Sequence, residues 1–334
     1  MVWQLDTGQL EETIASGLAI SYGIHVKEIF KLGGNSNINY KVVDVQGDSF
    51  VARLSKYKSA DTALEEHVLN SLTKTGYRLS PVIVKTLSHH TNTTIRTCGK
   101  TYVLHVFTYI QGEVLCKWFE KCSGSEIQMI FKQLACLHKE LTRVPYLHPD
   151  FHYMHPEIFS LGLNNVTASA SVKTYVTKHA HVFMKKAKML NALIGNIYLH
   201  SRHKQYIHGD IHLENILFQN GDLVAFLDFE KVQYAPLELE VVFSAFRTCK
   251  YSRFDDKLQY DTEAILLGLN EYTVNNKSLK FIVEDFEKNE GLWKVLFCLD
   301  QSFLYLEKAI KGIWTLEEGI GFLPCFNEVL QYEE

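Results

Sequence analysis

Three oxygen-bearing side chains stand out by type and spacing. In the run "YIHGDIHLENILFQNGDLVAFLDFE", Tyr206 to Glu230, Asp210 and Asn215 sit in H-G-D-x-H-x-x-N, and Asp228 closes an apolar stretch eighteen residues after Asp210. Charges beside segments as apolar as "NILF" and "LVAFLD" are costly unless something binds them. A strand–loop–strand hairpin would bring all three to one end of a short ribbon. That set suits phosphoryl transfer, which needs an acceptor for the proton of an attacking hydroxyl and ligands for a magnesium ion bridging phosphate oxygens. A carboxylate and a carboxamide oxygen are hard ligands of the kind magnesium takes. Asp210 is then the group that orients and deprotonates the hydroxyl, with Asn215 and Asp228 on the metal. "HGD" and "NGD" are also ordinary turn sequences, so spacing and flanking strands carry the reading, not either tripeptide alone. His208 and His212 read as scaffold, fixing the loop through backbone hydrogen bonds.

The elements around these residues follow from periodicity. "LEETIASGLAISYGI" (10–24) has apolar residues at helical spacing. "VKEIFKL", "NINYKVVDV" and "SFVARLS" are short, β-rich and punctuated by Gly or Asp, which predicts an antiparallel meander. "SADTALEEHVLNSLTKTG" (59–76) predicts a helix capped by Ser59 or Asp61 and stopped by Gly76. "PVIVKTL", "TTIRTC" and "TYVLHVFTYI" read as further strands, giving a small sheet with one helix inserted. After "YIQGE" (109–113) the chain turns helical. "SEIQMIFKQLACLHKEL" (125–141) lines up Ile127, Ile130, Leu134, Leu137 and Leu141 on one face. Residues 171–201 predict a long basic helix or helix pair. Beyond Pro236, helices are expected at about 236–249, 257–275, 291–311 and 315–331. "HPDFHYMHPEIFSLGLNN" (148–165) reads as a long loop whose His148, His152 and His155 lack clean metal-ligand spacing.

"HGDIHLENILF" together with "FLDFE" resembles the catalytic and metal loops of the aminoglycoside phosphotransferase and choline kinase superfamily, which also holds homoserine and methylthioribose kinases and is similar in fold to protein kinases. The resemblance implies an α+β bilobal protein-kinase-like fold, with a small N-terminal antiparallel sheet lobe carrying one helix and a larger, mostly helical C-terminal lobe. Its implied divisions are a nucleotide-binding lobe at 1–108, a hinge at 109–113 and a catalytic and substrate-binding lobe at 114–334. It implies ATP (or GTP), Mg2+ and a small-molecule hydroxyl acceptor.

The resemblance also assigns nucleotide-binding residues. "KLGGNSNINYKV" (31–42) occupies the place of the nucleotide-covering loop. Gly33 and Gly34 would let the backbone approach phosphates, and Asn35, Ser36 and Asn37 belong to the same loop. In "FVARLS", Arg53 stands where protein kinases carry the phosphate-pairing Lys; its fork can serve the same phosphates with altered geometry. Glu65 would hold Arg53, with Glu66 as the neighbouring alternative. In "LHVFTYIQGE", Thr108 would offer a carbonyl and Ile110 an amide to adenine, with Phe107 lining the pocket. A protein kinase fits less well. "DFE" lacks the following Gly, and "AP" (235–236) comes too soon after Asp228 for an activation loop. A non-catalytic nucleotide-binding module would need Asp210, Asn215 or Asp228 broken, and all three are intact. Transfer of a nucleotide in place of a phosphate is a third reading.

Bulk properties are those of a globular chain. The 334 residues are 46% hydrophobic and 22% charged, enough for one large domain or two lobes. The net charge of −4 does not favour nucleic acid as a partner. Residues 236–334 hold 10 Lys+Arg against 18 Asp+Glu. An acidic third favours a cationic acceptor such as an aminoglycoside, choline-like or amino-alcohol compound. Asp255, Asp256, Asp261, Glu284, Asp285 and Asp300 are the candidates to hold its amine. A sugar or homoserine-like acceptor is the alternative. Seven scattered cysteines without a CxxC pair point to reduced thiols in the cytoplasm. The first residues lack a signal-peptide pattern. No run approaches the length of a membrane span, so no membrane partner is expected.

Overall fold

The structure is a computed structural model, and it describes residues 7–33, 37–55, 62–97, 99–114, 121–147, 170–252 and 259–310. The chain divides into two compact units. One holds Met1–Glu113, Arg143–Pro145 and Leu217–Val232; the other holds Val114–Thr142, Tyr146–Ile216 and Gln233–Glu334. In chain order the elements begin with α1 (Thr7–Tyr22), β1 (Val26–Lys31), β2 (Ile38–Asp44), β3 (Ser49–Ser55) and α2 (Ala63–Thr75). Next come β4 (Ile83–Val84), β5 (Asn92–Thr97), β6 (Lys100–Thr108), β7 (Glu113–Val114), α3 (Gly124–Leu141) and α4 (Ala170–His200). Then follow β8 (Lys204–Ile207), β9 (Ile216–Gln219), β10 (Asp222–Phe226), β11 (Gln233–Pro236) and α5 (Leu237–Thr248). β12 (Lys250–Ser252), β13 (Gln259–Tyr260), α6 (Thr262–Asn275) and α7 (Phe281–Ile310) complete the order.

The first unit is built on an antiparallel sheet in the order β1-β2-β3-β6-β4, with β5 also pairing with β6. Alternation decides the faces. In β2, Ile38, Tyr40, Val42 and Asp44 are buried while the residues between them are partly exposed. This is the period-two signature of a half-buried strand. α1 lays Leu10, Ile14 and Leu18, four apart, against Tyr40, Val42, Ala52, Leu104 and Val106. Tyr22 Oη donates to Leu104 O at 2.9 Å, so this aromatic is buried without stranding its hydroxyl.

α2 ends as the sequence predicts. Gly76 adopts φ 79°, its amide meets Thr73 O, and Tyr77 N reaches Leu72 O at 3.0 Å. The start differs. Thr62 stands at the N-cap without a capping hydrogen bond, and its hydroxyl instead donates to Glu66 Oε1 at 2.9 Å. Ser59 and Asp61 lie outside the described residues. β9 and β10 form a hairpin whose sheet runs β10-β9-β7. Phe226 N, at its end, donates to Leu79 O at 2.8 Å within the same unit.

The second unit is mainly helical. α3 opens on a capping box, with Ser123 Oγ accepting from Glu126 N and Ser123 N donating to Glu126 Oε2. Its predicted apolar face, Ile127, Ile130, Leu134, Leu137 and Leu141, is entirely buried. α4 is one helix, burying Phe183, Ala187, Leu190 and Ile194. α7 is kinked at Asn289, whose φ of −125° is not helical. Phe246 of α5 stacks on Phe297 of α7, and Phe243 meets the same ring edge-on, with Tyr260 edge-on to Phe246. β8 and β11 pair antiparallel, and β8 leads into the loop that carries Asp210. No helix among the described residues is long and apolar enough to cross a membrane. The expected loop at 148–165, with its three histidines, and the helix at 315–331 lie outside the described residues.

Candidate active site

In the first unit the site grows from β3. β3 is buried on both faces at this point, and Arg53, on the face opposite Ala52 and Leu54, is only 7% exposed, where an unpaired guanidinium would be costly. Glu65, one turn into α2, meets it with a two-pronged fork. Arg53 Nη1 donates to Glu65 Oε1 at 2.9 Å and Nη2 donates to Oε2. Asp228 Oδ1 lies 4.0 Å from Nη1, and the guanidinium sits over the Phe107 ring at 4.7 Å. Burial works against the charge on Arg53. Glu65, followed by Asp228 and Glu230, more than offsets it and pushes the guanidinium's pKa up. Arg53 Nε is buried and has no hydrogen-bond partner among the described residues.

Asp228 has φ 63° and ψ 68°, a left-handed conformation at the start of the turn Phe229–Lys231. Asp tolerates this region better than most residues, though at a cost. Its side chain is 39% exposed. Glu230, two residues on, accepts from Asn37 Nδ2 at 2.7 Å, which ties the glycine-containing loop to the turn after β10. Gly33 is exposed, and its carbonyl accepts from Asn39 Nδ2 at 3.3 Å. Gly34, Asn35 and Ser36 lie outside the described residues.

At the end of β6, Thr108 exchanges hydrogen bonds with Val82. Its amide donates to Val82 O at 2.9 Å and its hydroxyl accepts from Val82 N at 3.2 Å. Ile110 is partly exposed just beyond. Packing around Gly112 is tight. A Cβ there would lie 3.0 Å from Leu217 Cβ and 3.1 Å from Phe218 O.

In the second unit β8 delivers the chain to the loop that holds Asp210. Gly209 takes φ 82°, a conformation open to glycine at little cost. Asn215 Nδ2 donates to Asp210 O at 2.9 Å and Asn215 N to His212 O at 2.9 Å, closing the turn Leu213–Asn215. His208 is fully buried, and its Nδ1 accepts from Asp210 N at 3.3 Å. This is the scaffold part the sequence suggests for it. His212 Nε2 lies 3.8 Å from Asp210 Oδ2.

Two residues that sequence reasoning missed hold this loop. Glu240 of α5 accepts from His208 N at 2.9 Å, from Gly209 N, and from His138 Nε2 at 2.6 Å. Burial alone would push its pKa up. The contacts with His138, His208 and Gly209 outweigh that and hold the carboxyl below its ordinary range. Arg247, two turns further along α5, reaches Gly209 O at 3.4 Å and lies 3.7 Å from both Asp210 Oδ1 and Asp300 Oδ2. Neither residue belongs to a local motif. Their one advance signal was the presence of ionisable residues, Glu238, Glu240 and Arg247, inside an otherwise largely apolar helix, "LELEVVFSAFR".

Of the acidic residues expected to hold an amine, several are already engaged. Asp261 caps α6 and pairs with Lys121 at 2.9 Å. Asp285 accepts from Asn289 and from Trp293, both at 2.7 Å. Asp300 faces Arg247, and Glu284 is exposed. Asp255 and Asp256 lie outside the described residues. Glu66 does not compete for Arg53. It gathers Thr62, Thr91, Asn92 and His105 instead.

Residues 30–264 match the model of the phosphotransferase enzyme family (APH). No curated protein matches the chain. Among solved structures, the amicoumacin kinase hAmiN in complex with AMP-PNP, Ca2+ and Ami is 13% identical, with a TM-score of 0.70 over 100% of this chain and 97% of that one. A spectinomycin phosphotransferase, APH(9)-Ia, in complex with ADP and spectinomycin is 14% identical, with a TM-score of 0.62 over 95% and 93%. An ethanolamine kinase of Plasmodium vivax is 14% identical, with a TM-score of 0.63 over 91% and 82%. At such identities the structural likeness is one of fold, and the family model, spanning well over half of the chain, decides membership. The chain belongs to the phosphotransferase enzyme family.

Proposed function

We propose that the chain transfers the γ-phosphoryl group of ATP, held as its magnesium complex, to a hydroxyl of a small amino alcohol or amino sugar. The observation that carries this reading is the buried Arg53–Glu65 fork, whose Arg53 Nε has no partner among the described residues. An anionic phosphate oxygen is the natural acceptor for that donor.

The donor set fits magnesium. Among the described residues no group of three His, Cys, Asp or Glu side chains could hold a metal alone. Magnesium commonly takes one or two protein oxygens and completes its shell with substrate phosphates and water. Asp228 supplies a partly exposed carboxylate. Asn215 spends Nδ2 on Asp210 O, which leaves its Oδ1, a hard oxygen, as the ligand. When bound, the ion would neutralise charge on the phosphate oxygens. Asp210 orients the acceptor hydroxyl and takes its proton as the oxygen attacks phosphorus and ADP departs.

The amine on the acceptor is supported by the acidic last third of the chain and by the substrates named for the similar structures, spectinomycin and ethanolamine among them. The test is an ADP-release screen with MgATP over amino alcohols, amino sugars, hydroxy amino acids and neutral sugars. Turnover with an amine-bearing alcohol is expected. Turnover with neutral sugars alone would overturn the acceptor class, and ATP consumption that yields AMP would overturn phosphoryl transfer.

A further inference from the structure

A directed line of hydrogen bonds ends on the loop that carries Asp210. It starts at the C-terminus of α6, where Ser278 Oγ donates to Asn276 Oδ1 at 2.9 Å. A side-chain interaction with Asn276 opposes the rise in Tyr272's pKa. Tyr272 is fully buried, and burial, helped by the negative charge of Glu240, pushes its pKa well above the ordinary value. Its hydroxyl therefore keeps its proton and must place it. His138 Nδ1 is 2.8 Å away. With Nδ1 accepting, the ring proton sits on Nε2, and Nε2 donates to Glu240 Oε2 at 2.6 Å. Glu240 then receives His208 N on the same oxygen and Gly209 N on the other.

We infer that His138 and Tyr272 are positioning residues for Asp210, acting through Glu240, and that Tyr272 holds the His138 ring in place as its Nε2–H tautomer. This rests on the reading of Asp210 as the group that orients the acceptor hydroxyl. The two N–H groups held by Glu240 belong to the residues immediately before Asp210, so rotation of that carboxylate moves the Asp210 backbone. Two backbone donors alone leave the carboxylate room to swing. The Nε2–H of His138 is a third donor from a different helix, and it fixes the rotation. Without the Tyr272 hydroxyl, Glu240 alone favours the Nε2–H tautomer, and the other ring nitrogen loses the donor that fixes the ring, which frees the carboxylate and the loop it holds to shift. Gln205 Nε2, donating to His138 O at 2.9 Å, ties the same helix position to β8 and shows how closely α3 and the approach to the loop are joined.

The test uses the full-length chain labelled with 15N-histidine. His138 is assigned by comparison with His138→Gln, and its two ring nitrogens are read by two-bond nitrogen–proton correlation. The Nε2–H tautomer is expected in the wild type, with a shifted Nδ1 signal in Tyr272→Phe, where that nitrogen has lost its donor. An Nδ1–H ring in the wild type, or an unchanged pattern in Tyr272→Phe, would overturn the inference. ADP release from MgATP with water as acceptor supplies the functional readout. His138→Leu and Tyr272→Phe should each lower kcat about tenfold with KM for MgATP unchanged, because a small displacement of the reacting group costs rate and not nucleotide affinity. His138→Gln, which retains an N–H for Glu240, should recover most of the loss. Wild-type kcat in folded Tyr272→Phe also counts against the inference, and this arm stands even if His138→Leu fails to fold. Asp210→Asn in the same assay separates the two claims. If it keeps the wild-type rate, the reading of Asp210 fails, while the tautomer result still judges Tyr272 and His138.

Discussion

Glu240 and His138, on different helices of the helical unit, share a buried hydrogen bond of 2.6 Å from His138 Nε2 to Glu240 Oε2. The same carboxylate holds the two amides before Asp210, so one side chain serves both as a core contact and as the clamp of the loop that carries Asp210. Glu240→Ala should destabilise the protein by about 3 kcal/mol or more, since it strands His138 and two buried N–H groups at once. Urea unfolding measures this. Glu240→Gln, which keeps one acceptor oxygen, should lose less, and equal losses in the two variants would rule out the clamp.

Asp210→Asn preserves shape while removing the carboxylate proposed to receive the proton. Turnover should fall by about 10²–10⁴-fold, with MgADP affinity unchanged by calorimetry. Asp228→Ala should differ in kind: its loss should extend to magnesium-dependent nucleotide binding. If both variants weaken nucleotide binding alike, the division of roles between the two carboxylates is wrong.

Arg53→Lys keeps the charge and discards the fork to Glu65. A lysine cannot make the same paired contact, so the substitution is not conservative. MgATP binding should weaken by about tenfold, the scale of one lost charge-assisted hydrogen bond. Glu65→Gln should show a smaller defect of the same sign. Fluorescence titration with a nucleotide analogue reads both.

Glu66 makes a pH-dependent contribution to folding. Burial alone would raise its pKa. Hydrogen bonds from His105, Thr91, Asn92 and Thr62 outweigh that and hold it at about 2, against an ordinary 4.5. Because the folded value is the lower one, this stabilisation is fully present above the unfolded value and is lost as pH falls through the folded one. The melting temperature of the wild type should therefore drop between about pH 5 and about pH 2 more steeply than that of Glu66→Gln. Parallel curves in thermal melts would show that the network contributes nothing.

Gly112→Ala tests the packing around "YIQGE". The added methyl meets Leu217 Cβ and a backbone oxygen, Phe218 O, and the backbone cannot rotate away. A loss of about 1–3 kcal/mol is expected by chemical denaturation, as for other overpacked sites.

The residues proposed to carry the chemistry stand out in the sequence because their local spacing is constrained. The turn after β8 must supply Asp210 and Asn215 within one short loop, and β9–β10 must return the chain so that Asp228 follows the second strand. Period-two alternation in β2 and the stripe on α3 likewise announce which face is buried, since burial selects side chains at the period of the backbone. The choice between Glu65 and Glu66 could not be made that way. They are neighbours on α2, and only the packing of that helix decides that Glu65 meets Arg53 while Glu66 turns to His105, Thr91 and Asn92. The acid-rich last third was equally ambiguous. Asp261, Asp285 and Asp300 look alike in sequence, yet one caps a helix, one binds a tryptophan and one faces an arginine. Glu240, His138 and Tyr272 carry no spacing signal at all. They lie on three separate helices, and a contact between residues more than a hundred positions apart is set by how the helices pack, an arrangement that no local run of residues encodes.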